Sequence, residues 1–318
     1  MSPLHPDDTA SHLAGSAEYP LAAWFLGPRA ENASVWTELL DHIFQDYVHW
    51  RRNYFPGDPW IVGRVKRRSP EHESWLDLLT GHLDAILSEL KFNFPLHSPR
   101  YNAHMVSEQS LPAVLGYFAG LLYNPNNISG ESAPITLALE LEVGRMIATM
   151  LGYNPRKAWA HICSGGTLAT LEALWVARGV QFAPLIAREF CRSERLDLRV
   201  RLPNGTEAPL IEVDNRTLLG LRPQESGSVL RALAYCLETE RQLTTEAALA
   251  AVNAGVARSP FNVARRGLGP ILATTGLRPV IFASAAAHYS IVKSCNVLGY
   301  GEDAVRFIPV NDRFQMNV

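Results

Sequence analysis

The sequence predicts an α/β protein whose mostly parallel sheet carries helices on both faces, preceded by a helical N-terminal segment. Two stretches support this prediction. In 158–178 a short apolar run is followed by a glycine-rich loop and then by a helical pattern. In 279–310 an apolar run, a helical pattern and a second apolar run follow one another. Strands that alternate with helices are typical of parallel sheets covered on both faces.

The first 150 residues predict helices separated by proline-containing loops. Residues 32–51 and 72–92 have apolar residues at helical spacing. Residues 110–122 are largely apolar, which predicts a buried helix. Another helix is expected to begin near Pro134, because proline suits a first helical turn, and to stop near Gly152.

The glycine-rich unit is predicted as a strand at 158–163, a loop at 164–167 and a helix at 168–178. Gly179 follows the last apolar position and is expected to stop this helix.

Beyond it the pattern is less regular until about residue 277. Helices are predicted at 228–241 and 245–257, with polar connections and short strands over 192–225. The α/β order then returns, with a strand at 279–284, a helix at 287–297 and a strand at 304–310.

Composition excludes several classes of function. The chain has 318 residues, is 47% hydrophobic and has a formal net charge of −2, which indicates neither a nucleic-acid partner nor an anionic membrane partner. The N-terminus lacks a secretory pattern, and no apolar run is long enough to span a membrane. The four cysteines, Cys163, Cys191, Cys236 and Cys295, have neither zinc-ligand nor CxxC spacing, so a reducing, cytoplasmic location is expected.

The loop Ser164-Gly165-Gly166-Thr167 is one candidate site. Glycines between a strand and a helix let the backbone approach a ligand, and a helix N-terminus favours phosphate. Thr167 adds a hydroxyl donor. The glycine spacing matches neither a dinucleotide fingerprint nor a P-loop. Taken alone, the same residues also suit an ordinary tight turn.

His288 begins the next strand-to-helix connection. Its flat imidazole can stack on a planar ring, although these residues by themselves favour a histidine that caps or hydrogen-bonds near the start of the following helix. Because both loops follow predicted strands, Gly165–Thr167 and His288 are expected to converge at the carboxyl edge of the sheet, where α/β folds bind ligands.

A third segment contains His104 and Ser107. His97 and His104 lie on either side of Pro99, and no carboxylate or cysteine cluster joins them. Since this is not metal-ligand spacing, no metal site is expected.

Five segments together resemble the group II pyridoxal-phosphate-dependent amino-acid decarboxylases, and the bacterial tyrosine decarboxylase branch in particular. They occur in the order found in that family, and the resemblance covers about 95–318, with a poor match over about 180–275. The segments are SPRYNAHM (98–105), LPAVLGYFAGLLYNPNN (111–127), SAPITLALELEVGRMIATMLGY (132–153), CSGGTLATLEALWVAR (163–178) and AHYSIVKSCNVLGYG (287–301).

The resemblance implies a fold-type-I large domain, incomplete here, over 98–318, after an N-terminal arm and helical segment at 1–97. It implies pyridoxal 5'-phosphate as cofactor and a homodimer. Gly165, Gly166 and Thr167 would hold the cofactor phosphate. His288 would stack on the pyridine ring and assist proton transfer, and His104 and Ser107 would lie by the pocket for the amino-acid substrate.

The chain departs from the family pattern in two respects. Leu168 stands where relatives usually have glutamate. In relatives the Schiff-base lysine and the aspartate that pairs with the pyridine nitrogen come after the segment matching 304–310, so this chain is expected to end before both. The expectation is therefore a truncated or split decarboxylase, with an aromatic substrate such as tyrosine, whose partner is a second copy of the chain or a complementary C-terminal half. The alternative is a non-catalytic protein of this fold that acts as a binding or dimerising partner.

Overall fold

The computed structural model describes residues 21–103 and 105–317, and these are mostly helical. The chain forms two compact units that divide between Met150 and Leu151. The predicted division at 97/98 stays a prediction. No described helix is both long enough and apolar enough to cross a membrane.

The first unit is built from helices that largely follow the apolar patterns of the sequence. After a short 3-10 turn at Leu21–Trp24, the helices are α1 (Ala33–Tyr54), α2 (Arg64–Arg67), α3 (Pro70–Leu90), α4 (Leu111–Tyr123) and α5 (Thr136–Met150). The start of α3 shows why boundaries can be read from sequence: Ser69 Oγ accepts a hydrogen bond from the His72 backbone N–H at 3.3 Å, and proline occupies the first helical turn.

The prediction that the helix at 110–122 is buried is wrong. Within α4 only Leu111 is buried, while Tyr117 and Leu121 are 77% and 64% exposed. The helix packs against α1, but it is apolar on all sides and one neighbouring helix cannot cover it. The first unit therefore has a large exposed apolar surface.

The second unit contains most of the buried residues. Its elements are α6 (Gly166–Glu194), β1 (Arg199–Arg201), β2 (Glu207–Pro209), α7 (Asn215–Leu219), α8 (Pro223–Arg241), α9 (Thr245–Arg258), α10 (Val263–Arg266), α11 (Gly269–Thr275), β3 (Ile281–Ser284), α12 (Ser290–Val297) and β4 (Val305–Ile308). The predicted helices at 228–241 and 245–257 are confirmed as α8 and α9.

Two predictions around the glycine-rich loop are wrong. Residues 158–163 form no strand, because a strand needs a hydrogen-bonded partner and no described strand pairs with this segment. The helix that follows does not stop at Gly179 but continues to Glu194. Its second half is buried, so tertiary packing overrides the local stop signal.

The main core lies in the second unit, between Phe182 and Ile271. The second half of α6 packs against α8, and α8 packs against α9. The largest fully buried side chains in this core are Phe182, Leu185, Leu210, Leu218, Leu233 and Ile271. Burial of each such side chain stabilises the fold by roughly 1.5–3 kcal/mol relative to exposure.

A buried arginine ties the loop regions to α6. Arg188 Nη1 donates to the Val213 carbonyl oxygen at 2.9 Å, and Nη2 donates to Asn215 Oδ1 at 2.5 Å. Burial, with a smaller contribution from the like charge of Arg192, lowers the pKa of Arg188. Both acceptors flank the start of α7, so this arginine fixes that helix against the core.

The end of the chain forms a β-α-β unit. β3 and β4 are parallel, with Ile281 opposite Val305 and Ser284 opposite Ile308, and α12 connects them. The predicted strands at 279–284 and 304–310 are thus confirmed. The other described strand pair, β1 and β2, is an antiparallel hairpin. Within the described residues the sheets have two strands each, so the wider parallel sheet with helices on both faces is not observed.

Candidate active site

The glycine-rich loop leads directly into the N-terminus of α6. Gly165 is the N-cap residue, Gly166 is the first helical residue, and Thr167 lies in the first turn. The first intrahelical bond runs from the Ala169 N–H to the Gly165 carbonyl at 3.0 Å. The N–H groups of 166–168 consequently have no partner within the helix, and no described side chain caps this end.

Packing within the chain does not require either glycine. A Cβ atom built on Gly165 or Gly166 would meet nothing within 4 Å, and neither residue has a left-handed backbone. Exposed N–H groups, the positive end of a 29-residue helix and open space above the backbone are the properties that suit a bound phosphate. The loop therefore fits the phosphate group of pyridoxal phosphate.

His288 lies just beyond the carboxyl end of β3. The chain turns there, with the Ala287 N–H bonded to the Ser284 carbonyl oxygen at 2.9 Å. His288 Nδ1 accepts a hydrogen bond from the Ser290 N–H at 3.2 Å, so the capping role considered from sequence is observed. The Tyr289 ring lies 4.2 Å from the imidazole at an angle of 42°. Because Nδ1 accepts, the neutral imidazole carries its proton on the exposed side of the ring, at Nε2.

Helices α6 and α12, which follow the two candidate loops, pack against each other. Leu174 packs on the small cluster formed by Ala283, Cys295 and Val305. One turn further along α6, Arg178 Nη1 donates to the Leu298 carbonyl oxygen at 2.5 Å, at the C-terminal end of α12. The third and fourth turns of α6 thus run beside α12 within one compact unit.

The two remaining predicted site residues are His104 and Ser107. His104 lies outside the described residues. Ser107 is exposed, and its hydroxyl donates to the adjacent Glu108 carbonyl oxygen at 3.3 Å. Their position by a substrate pocket stays a prediction.

None of the four lysines is buried. Lys66, Lys91, Lys157 and Lys293 are all exposed to solvent, including Lys293 on α12. A lysine that bonds covalently to a carbonyl cofactor needs a desolvated position, which promotes its neutral form. Their exposure does not fit that role.

Sequence reasoning missed one contact beside the glycine loop. His161 Nε2 lies 3.7 Å from Glu172 Oε2, which joins the segment before the loop to the second turn of α6. The Trp159 ring stacks parallel to the His161 ring, at 5.8 Å and 4°. No periodic or motif signal pairs two residues across a loop, so only the three-dimensional structure identifies this contact.

Among the described residues, no group of three or more histidine, cysteine, aspartate or glutamate side chains is arranged to hold a metal ion. Cys163, inside the glycine-rich segment, donates weakly from Sγ to the Gly165 carbonyl oxygen at 3.7 Å. The donors around this loop are backbone N–H groups and hydroxyls, which suit an anion and not a cation.

The chain is similar to curated bacterial enzymes. It is 29% identical over 305 residues to the L-tyrosine decarboxylase of Levilactobacillus brevis, covering 94% of this chain. The predicted resemblance to bacterial tyrosine decarboxylases is confirmed. The L-tyrosine decarboxylases of Enterococcus faecalis (strain ATCC 700802 / V583) and Enterococcus faecium are each 28% identical, over 304 and 300 residues, covering 95% and 94% of this chain.

These decarboxylases are much longer than the chain. The matched region spans 41%, 42% and 43% of the three relatives, in the same order. No protein-family model matches the chain.

Proposed function

We propose that this chain supplies the phosphate cradle of a pyridoxal-phosphate-dependent amino-acid decarboxylase, with tyrosine as the favoured substrate. The observation that carries the proposal is the uncapped N-terminus of α6 at Gly165-Gly166, in a chain whose curated relatives are named L-tyrosine decarboxylases.

The phosphate would be bound by the start of α6. The N–H groups of Gly166 and Thr167 point out of the helix end, and the Thr167 hydroxyl adds a further donor. The helix dipole stabilises a negative charge at this position, and the effect is confined to the first turn. The absence of a Cβ on either glycine leaves the backbone open to close approach.

His288 would orient the planar ring of the cofactor. The hydrogen bond from the Ser290 N–H fixes the imidazole through Nδ1, and Tyr289 packs on the same ring. A fixed, exposed imidazole with its proton at Nε2 can stack on an aromatic ring or move a proton to a nearby substrate atom. The packing of α6 against α12 supports a common site for His288 and the glycine loop.

When bound, pyridoxal phosphate supplies an electron sink for the charge left after loss of carbon dioxide. The chain's own lysines are all exposed, so the covalent lysine would come from another segment or another polypeptide.

In the same proposal, β3 and β4 form part of a wider parallel sheet with helices on both faces. A second copy of the protein or a complementary C-terminal segment would cover the exposed apolar side chains of the first unit.

The test is carbon dioxide release from L-tyrosine by the longest natural form of the protein, with and without added pyridoxal phosphate. We expect release that depends on the cofactor and falls strongly in His288→Ala, while His82→Ala, at an exposed histidine on α3, has little effect. Cofactor binding without release from tyrosine, phenylalanine or glutamate would reject the decarboxylase proposal in favour of a non-catalytic protein of this fold.

A further inference from the structure

A polar contact closes the base of the glycine-rich loop. His161 lies before the loop and Glu172 lies in the second turn of α6, and their side chains are 3.7 Å apart at Nε2 and Oε2. The chain between them folds back on itself, with Gly165 and Gly166 at the turn. The contact therefore fixes the direction from which the backbone enters the helix.

The backbone of the loop and of the segment before it is irregular. Residues 158–163 belong to no helix or strand, and the two glycines have open space where a Cβ would lie. Glycine has more backbone freedom than any other residue, so the direction of the N–H groups at this turn depends on what holds its two ends. The C-terminal end is held by α6, while the N-terminal end is held against α6 through His161.

A second interaction orients the histidine. The Trp159 ring lies parallel to the imidazole, at 5.8 Å between centroids and 4° between planes. A parallel stack favours one tilt of the imidazole plane, which restricts rotation about the Cβ–Cγ bond of His161 and so helps to keep Nε2 near Glu172. Trp159, His161 and Glu172 thus form a chain of contacts from the incoming segment to the helix.

From this geometry we propose that His161 and Glu172 are positioning residues for the phosphate cradle: their contact sets the direction of the Gly166 and Thr167 N–H groups. The inference rests on the proposed function, since it assumes that the cradle binds phosphate. Neither side chain needs to touch the ligand.

The experiment compares ligands that differ only in the phosphate group. Dissociation constants of the full chain are measured by tryptophan fluorescence for pyridoxal phosphate, for pyridoxal and for inorganic phosphate. The proteins are the wild type, Glu172→Gln, His161→Gln, the double variant and the swapped pair His161→Glu with Glu172→His. Glu240→Gln, the same substitution on the exposed surface of α8, is the matched control. For each protein, the dissociation constant of pyridoxal phosphate is divided by that of pyridoxal. A change in the fraction of folded protein affects both constants equally and therefore cancels in this ratio.

Both partners are partly exposed, at 43% and 35%, so the contact is worth a modest amount. We expect Glu172→Gln to weaken the binding of pyridoxal phosphate and of inorganic phosphate about two- to fivefold, the range for partly exposed polar contacts of this kind, with the binding of pyridoxal unchanged. The double variant should lose no more phosphate affinity than either single variant, because the same contact is removed in all three. The swapped pair should recover most of the lost affinity.

Equal weakening of pyridoxal and pyridoxal phosphate would overturn the inference, because it indicates a general structural role. Unchanged ratios in both single variants would also overturn it, while leaving the proposed function intact. A wild type that binds pyridoxal phosphate no better than pyridoxal would reject the phosphate cradle itself, and with it the proposed function.

Discussion

Replacement of Gly179 with alanine is expected to stabilise the protein. Gly179 lies in the interior of α6, fourteen residues after Gly165, at the position where the sequence pattern predicts that the helix stops. It does not have a left-handed backbone, and a Cβ added there would meet nothing within 4 Å. Alanine removes backbone freedom from the unfolded chain without a clash in the folded one, for a gain of about 0.5–1 kcal/mol in the free energy of unfolding.

A second glycine in a helix provides the contrast. Gly255 lies on α9, and a Cβ there would come within 2.3 Å of Cδ2 and 2.5 Å of Cε2 of the Phe190 ring, which is buried. The ring cannot give way easily in a packed core, so Gly255→Ala should lose about 1–3 kcal/mol to overpacking, offset in part by the better helix propensity of alanine. The two substitutions are chemically identical and opposite in expected sign.

The assay is urea unfolding followed by far-UV circular dichroism at low protein concentration, with hydrogen exchange of the α6 amides as a local readout. A higher midpoint and slower exchange around residue 179 in Gly179→Ala support a continuous α6. Destabilisation by about 1 kcal/mol or more would indicate a left-handed glycine that ends the helix, as the sequence pattern suggests, and would refute the continuous helix.

Three further expectations follow from burial and exposure. The Cys191 thiol is buried, which raises its pKa to about 12. At pH 8 it should therefore react with iodoacetamide at least ~10 times more slowly than the half-exposed Cys163. Equal reaction rates at the two cysteines, followed by mass spectrometry, would contradict the burial of Cys191. Burial likewise raises the pKa of Tyr300 to about 12. Because both groups ionise at lower pH in the unfolded chain than in the folded one, the free energy of unfolding should be unaffected by them below about pH 9 and should fall as the pH rises towards 12. A urea midpoint that rises from pH 9 to 11 would disagree. Phe92 and Trp60, at 92% and 78% exposed, belong to a large apolar surface of the first unit, so sedimentation should show self-association, and a monodisperse monomer would contradict this.

Sequence reasoning recovered elements whose signals are local. The helices at 228–241 and 245–257 carry their own apolar periodicity and end signals, and Thr244 caps α9 by accepting from the Ala247 N–H at 3.2 Å. The β-α-β unit at the end of the chain was likewise predictable, because each strand is a short apolar run with glycine nearby. Local chemistry decides these boundaries, so a single sequence reveals them.

Features that depend on partners were not recovered. The strand predicted at 158–163 needs a neighbouring strand, and the stop predicted at Gly179 is overridden by the burial of Phe182, Leu185 and Phe190 one and more turns later. An isolated apolar pattern contains neither kind of information. The exposed surface of α4 has the same cause, since apolar composition does not reveal whether a covering surface exists.

The candidate site likewise combines features that the local sequence reveals with features that only the three-dimensional structure reveals. The helix start at the glycine-rich loop and the helix start beyond His288 could be read from residue types, because helix starts have local signatures. Phosphate binding at Gly165–Thr167 stays a prediction. The contact between His161 and Glu172 could not, since it joins two residues without a shared pattern across a turn. The family resemblance assigned roles to residues, but the hydrogen bond from the Ser290 N–H to His288 Nδ1 required coordinates.

The central claim is that Gly165–Thr167 and His288 form one cofactor site, and a crystal structure of the chain with pyridoxal phosphate tests it most directly. The account predicts the phosphate oxygens at hydrogen-bond distance, about 2.7–3.2 Å, from the backbone N atoms of Gly166 and Thr167, with the pyridine ring against the His288 imidazole. A phosphate bound elsewhere, or a His288 ring on the opposite side of the β-α-β unit from the start of α6, would contradict it.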